Sequence, residues 1–167
     1  MEDYLLEGYF HLHHDKLFEF LQEPVKAQIK YIRENKPEHE IPTRLGLLRK
    51  VKGEIPKELL EARKAYYEAW KAYNEAWKAR RNKIRKACGK ARKDHSGSWK
   101  ARKEAREAWH RAEASWDEAK KARNEARKAF YEADKAYDEA LQKAMPELLK
   151  LHEVECPNCP WNGKTIF

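Results

Sequence analysis

The chain has 167 residues, 38% of them charged and 41% hydrophobic, with a formal net charge of +8. Much of the hydrophobic share is alanine, so residues 60–144 cannot build a large globular core, and an elongated helical shape is expected there. No run of about 18 apolar residues occurs, which argues against a membrane-spanning helix. The acidic start MEDYLLEGYF lacks the basic-then-apolar layout of a signal peptide. Three cysteines, two of them in a C-x-x-C, suit a reducing compartment better than a disulfide framework, so a cytoplasmic protein is expected.

Residues 1–57 read as a small helical base. Tyr4, Leu5, Tyr9, Phe10, Leu12, Leu17, Phe18 and Leu21 recur at helical spacings. Pro24 suits the first turn of a second helix that carries Val25, Ile29 and Ile32 on one face and stops at Asn35-Lys36-Pro37. Pro42 opens a short third helix closed by Gly53. Pro56 is placed to start a long one.

Residues 58–149 repeat a seven-residue phrase, roughly x-E-A-x-K-A-x: LEARKAY, YEAWKAY and NEAWKAR, then KEAREAW through DEALQKA. A break at Asp94-His95-Ser96-Gly97-Ser98 separates the two runs. An alanine at every third and fourth position reads as a helix-packing seam. The Gly/Ser break reads as the turn of an antiparallel coiled-coil hairpin near residues 94–98. Ala62, Ala65, Ala69, Ala72, Ala76 and Ala79 form the expected seam of the first helix, and Ala119, Ala122, Ala126, Ala129, Ala133 and Ala136 lie on that of the second. Tyr66, Trp70, Tyr73 and Trp77, with Trp109, Trp116, Phe130 and Tyr137, flank the alanines and are expected to cover the seam. The second run is the longer, so its excess is expected to pack on the base. Pro146 is expected to kink or restart that helix.

Charge is unevenly placed along these repeats. Residues 78–106 hold 13 Lys/Arg against Asp94 and Glu104, while residues 1–56 sum to −1. The cations are Lys78, Arg80, Arg81, Lys83, Arg85, Lys86, Lys90, Arg92, Lys93, Lys100, Arg102, Lys103 and Arg106. The hairpin would gather them at its bend. Nucleic acid is a polyanion whose counterions are released when its phosphates are neutralised, so such a tip is expected to bind it. Trp99 is positioned to stack on a base. A plain solubilising surface does not account for the missing acidic partners, which are supplied at i,i+3 elsewhere in the repeat.

Residues 150–167 form a tail with Cys156-Pro157-Asn158-Cys159. This turn is similar to the metal-binding knuckle of zinc ribbons and rubredoxins, and the resemblance covers this short segment alone. It implies two thiolates facing one ion. His152, four residues earlier, is the third candidate ligand, and a fourth would come from the base, where His14 is taken ahead of His11 and His13, from His39, or from a second chain. One structural zinc is preferred over two unligated thiols in a turn, and over a redox pair, which Pro160 and the short remaining tail disfavour. Asn162-Gly163-Lys164-Thr165 lacks the leading glycine of a phosphate loop and is rejected.

No nucleophile–base pair of usable spacing stands out, so the chain is not expected to be an enzyme. The expected fold is all-α: a helical base, a long alanine-rich hairpin and a C-x-x-C tail packing on the base. The expected function is nucleic-acid binding through the basic tip, with RNA preferred. The geometry is similar in shape to the coiled-coil arms of seryl-tRNA synthetases. The alternatives are an assembly protein that forms oligomers through its aromatic helix faces, and an adaptor that inserts its arm into a partner.

Overall fold

The computed structural model describes the backbone of residues 3–93 and 99–167, and the side chains of residues 4–82, 103, 106, 107, 110 and 116–167. The expected turn at 94–98 lies outside the described residues. After a 3-10 turn at Asp3–Leu6 come β1 (Gly8–Phe10), β2 (Phe18–Phe20), α1 (Val25–Asn35), α2 (Ile41–Leu47), β3 (Arg49–Lys50), α3 (Lys57–Lys93) and α4 (Trp99–Glu155). The protein is mostly helical, but it is not all-α: a three-stranded antiparallel sheet in the order β2-β1-β3 occupies the segment expected to be helical. Two compact units are present, one formed by Met1–Lys64 with Tyr137–Phe167, the other by Ala65–Ala136.

In the first unit the sheet replaces the expected first helix for a reason of periodicity. Gly8 pairs with Phe20 and Phe10 with Phe18, so these four share one face, while Tyr9 and Glu19 share the other. The aromatic face buries Phe10, Phe18 and Phe20 against Leu59 of α3 and against Ala144, Leu148 and Cys156 at the end of α4 and just past it. On the opposite face Tyr9 packs with Leu12 and Leu21, joined by Tyr4, Val25 and Leu48. A helix would have scattered these side chains around its circumference. Glycine at position 8 follows from the close approach of Phe18 and Ile55, since a Cβ there would stand 2.7 Å from both Phe18 Cζ and Ile55 Cδ1.

Arg63 is buried, although it sits at a basic position of the repeat. Its Nε donates to the Leu5 carbonyl at 3.2 Å and its Nη2 to the Leu21 carbonyl at 2.8 Å. Its guanidinium also lies over the rings of Phe20 (5.5 Å) and Tyr137 (5.9 Å). One side chain thus satisfies carbonyls from two loops while its stem fills the core. At the other edge, Glu155 accepts the backbone N–H groups of Lys52 (2.9 Å) and Gly53 (2.7 Å), tying the end of α4 to the connection that leads into α3.

Pro146 lies inside α4, and the helix continues through it to Glu155 rather than restarting. Burial of Ala144 and Leu148 on either side offsets the lost backbone hydrogen bond. Pro24 caps α1 and Pro56 precedes α3, as the sequence suggests.

In the second unit α3 and α4 pack on one another, but not along the expected alanine seam. Positions partly or fully shielded from solvent include Tyr66, Ala69, Tyr73, Asn74, Ala76 and Arg80 on α3, and Ala119, Arg123, Ala126, Phe130 and Ala133 on α4. Ala65, Ala72, Ala79, Ala122, Ala129 and Ala136 are exposed. Alternate alanines therefore face solvent, and larger side chains take their seam positions because each buries more apolar surface. Tyr66 and Tyr73 pack on Phe130 at 5.4 and 5.9 Å between centroids, and Arg80 lies over Trp116 at 5.9 Å. The aromatics divide accordingly: Tyr66, Tyr73 and Phe130 cover the seam, whereas Trp70, Trp77 and Trp116 are exposed.

Arg63→Ala should leave the Leu5 and Leu21 carbonyls unpaired and cost about 2–4 kcal/mol of unfolding free energy. The same change at neighbouring, exposed Lys64 should cost under about 0.5 kcal/mol. Denaturant titration of both variants checks this contrast.

Candidate metal centre

Three donors, two from the end of the chain and one from the residue after β1, converge in the first unit. His152 sits in the last turn of α4, on the stripe Ala144, Leu148, His152, Cys156, whose spacing of four keeps all of them on the buried face. His11 follows β1 directly. Its φ of 57° places it in the left-handed region, rare for a residue with a side chain, and its N–H donates to the Leu17 carbonyl at 3.1 Å. Cys159 closes the Cys156–Cys159 turn, where Asn158 also adopts a positive φ of 61° and the Cys159 N–H donates to the Cys156 carbonyl at 3.2 Å.

His11 Nε2 stands 2.9 Å from His152 Nε2 and 3.1 Å from Cys159 Sγ. One ring nitrogen offers either one proton or one lone pair, so Nε2 cannot serve both neighbours as an ordinary hydrogen-bond partner. An ion at the common point would take a lone pair from each of the three atoms, and all lie within 4.8 Å of one another. The group could therefore hold a metal ion. The separations fall a few tenths of an ångström short of the ~3.3–3.5 Å edges of a tetrahedral site with zinc-like bond lengths.

Burial favours the metal-binding forms of both rings. His11 is held neutral, its pKa lowered to about 4 by burial first and by the neighbouring His152 second. Burial also lowers the pKa of His152. His11 Nδ1 is buried without a hydrogen-bond partner. The ring is instead oriented by packing, with His152 at 4.9 Å and Trp161 at 5.6 Å. Phe10 covers His152 edge-on at 5.2 Å.

Of the four ligands expected from sequence, the structure brings together His152 and Cys159. Cys156 is a buried core thiol whose pKa is raised by burial, and it is not one of the three converging donors. His14 stands apart: its Nδ1 lies 4.0 Å from Asp15, its ring 6.2 Å from Phe167, and its carbonyl accepts the Ile166 N–H. His11 takes the place assigned to it. The sequence offered three histidines in four positions. Only strand pairing up to Phe10, followed by a left-handed residue, singles out the first.

The cationic stretch is described in part. Lys78, Arg81, Lys103 and Arg106 are exposed, and Arg80 is half-buried against Trp116. The side chains of Lys83, Arg85, Lys86, Lys90, Arg92, Lys93, Trp99, Lys100 and Arg102 lie outside the described residues. Among the described residues, i,i+4 ion pairs include Lys57–Glu61 of α3 and Lys128–Glu132 of α4, both beyond this stretch. No helix among them is long and apolar enough to cross a membrane. Comparison with protein-family models, with curated proteins and with solved structures returns no match.

Two outcomes are expected. A divalent metal titrated into metal-free protein should bind one equivalent, and at a hundredfold excess over its dissociation constant should stabilise the fold by about 2.7 kcal/mol. His11→Ala should abolish this gain and His14→Ala should not, as calorimetry would show. Without metal, His11 binds its proton more weakly folded than unfolded, so its contribution is complete above the unfolded pKa of about 6.5 and is lost as pH falls towards about 4. Denaturation midpoints measured across that window should fall with pH, and fall less in His11→Ala.

Proposed function

We propose that this is a non-enzymatic nucleic-acid-binding protein of the cytoplasm that grips phosphates, RNA in preference, with the cationic end of a helical hairpin. The observation that carries the reading is the segregation of charge: 13 Lys/Arg against two acids over residues 78–106. A merely soluble helix surface would keep its acid partners, as the rest of the repeat does. The described part of the stretch adds support, since Arg80 and Arg81 each lie over a tryptophan ring, a pairing of cation and aromatic suited to phosphate and base.

The metal in this reading is one structural zinc. Two imidazoles and a thiolate are donors that zinc favours. His11, His152 and Cys159 would hold it. The ion would lock the tail and the end of α4 to the loop after β1, contributing to folding rather than to chemistry.

A second reading, assembly with further copies of the chain, is favoured by Tyr131, which is 61% exposed alongside the exposed tryptophans. Charge reversal separates the two. Changing Arg80, Arg81, Arg85 and Lys86 to Glu should weaken RNA binding at least about tenfold and flatten its dependence on salt. A deletion of residues 80–105 closed by a short turn should remove binding, while light scattering at two concentrations stays unchanged. Binding that survives both variants would refute the phosphate reading and leave assembly as the function.

A further inference from the structure

Phosphate contacts alone do not distinguish a duplex from a single strand, but the tryptophans of the second unit do. Trp70, Trp77 and Trp116 remain 44%, 41% and 42% exposed, although indole is the largest apolar side chain available to a seam. Trp70 and Trp77 lie one heptad apart on α3, about 20° apart around the helix and about 10 Å along it. Arg80 and Arg81 fall on either side of Trp77 in the same projection. The Arg81 guanidinium lies 5.4 Å from the Trp77 ring centroid, and Arg80 reaches across to Trp116 at 5.9 Å. Tyr67 stacks on Trp70 at 5.8 Å. The same face thus offers half-exposed rings, those of Trp77 and Trp116 each with a guanidinium over it, and the strongly cationic stretch follows directly in the sequence.

Resting on the nucleic-acid reading above, we infer that this face is a stacking platform for a single-stranded polynucleotide. Bases lie on the exposed parts of Trp77 and Trp116 while Arg81, itself exposed, holds an adjoining phosphate. A duplex presents base edges in its grooves and keeps its base faces stacked inside, so it can meet the arginines but not the indoles. A single strand meets both at once, without sequence preference, because every base has a face to stack. The charge of the stretch selects a polyanion over a second, equally cationic copy of the chain.

The test uses the full chain with single-stranded RNA, single-stranded DNA and duplexes of the same length, titrated at matched salt. Both single strands are expected to bind at least about tenfold more tightly than either duplex. Changing Trp77 and Trp116 to Leu should weaken single-strand binding about tenfold or more, leaving duplex binding and the salt slope as they were. Because both rings are exposed, the helical signal should not change, and the strand preference of the wild type tests the inference without any variant. Equal affinity for single strands and duplexes, or unaltered single-strand binding by the Leu variant, overturns the inference and leaves the phosphate reading standing. Loss of an oligomer in that variant with nucleic-acid affinity intact also overturns it, assigning the indoles to contacts between copies. Absence of binding to every nucleic acid overturns both.

Discussion

The packing of the last turns of α4 against the aromatic face of β1 and β2 is the contact on which the first unit depends. Phe10, Phe18 and Phe20 share one core with Leu17, Val51 and Leu59, and Ala144, Leu148 and Cys156 complete it from the far end of the chain. The same helical stripe carries His152. Once Leu148 is seated, the imidazole one turn later has little choice but to meet the residue that follows Phe10. Core packing and the candidate metal site are therefore one geometric event, and the left-handed backbone of His11 is the strained step that completes it.

The polar groups of this unit show how it accommodates charge near a core. Arg63 satisfies two loop carbonyls and lies over two rings, so hydrogen bonds and ring contacts compensate its burial. Arg44 is buried against Glu40 through two short hydrogen bonds, and its guanidinium lies 5.1 Å from the ring of Phe167. The second unit is less complete in this respect: Asn74 Nδ2, Arg80 Nε and Arg123 Nε are shielded without a hydrogen-bond partner. Its interior is a mixed seam of aromatic rings, alanines and arginine stems.

Much of the helical architecture was legible in the sequence, because prolines at 24, 42 and 56 and a sustained heptad mark helix starts and extent without reference to tertiary contacts. The sheet was not. Tyr9, Phe10, Leu17 and Phe18 match a helical spacing by coincidence, and strands of three residues are too short for alternation to show. The seam was misplaced by half, since an Ala-rich heptad has two alanine rows and only side-chain volume across the interface chooses between them. At the candidate metal site, spacing identified His152 and Cys159 because both lie within one local segment. His11 required a long-range contact and a positive φ, neither of which composition encodes. Arg63 was hidden for the same reason, standing in a repeat position that is solvent-exposed elsewhere.

The split composition of the first unit has a temporal consequence. Its opening residues leave the ribosome with an aromatic face that Val51 and Leu59 cover only in part, and the remaining helix turns are made only after the whole of Ala65–Ala136 has been synthesised. Its sheet and core must therefore close last, through contacts of very long sequence separation, while the heptad helices can form locally and early. Until then the exposed strand edges and phenylalanines are a liability during synthesis, and the speed with which α3 and α4 find each other determines how long that interval lasts.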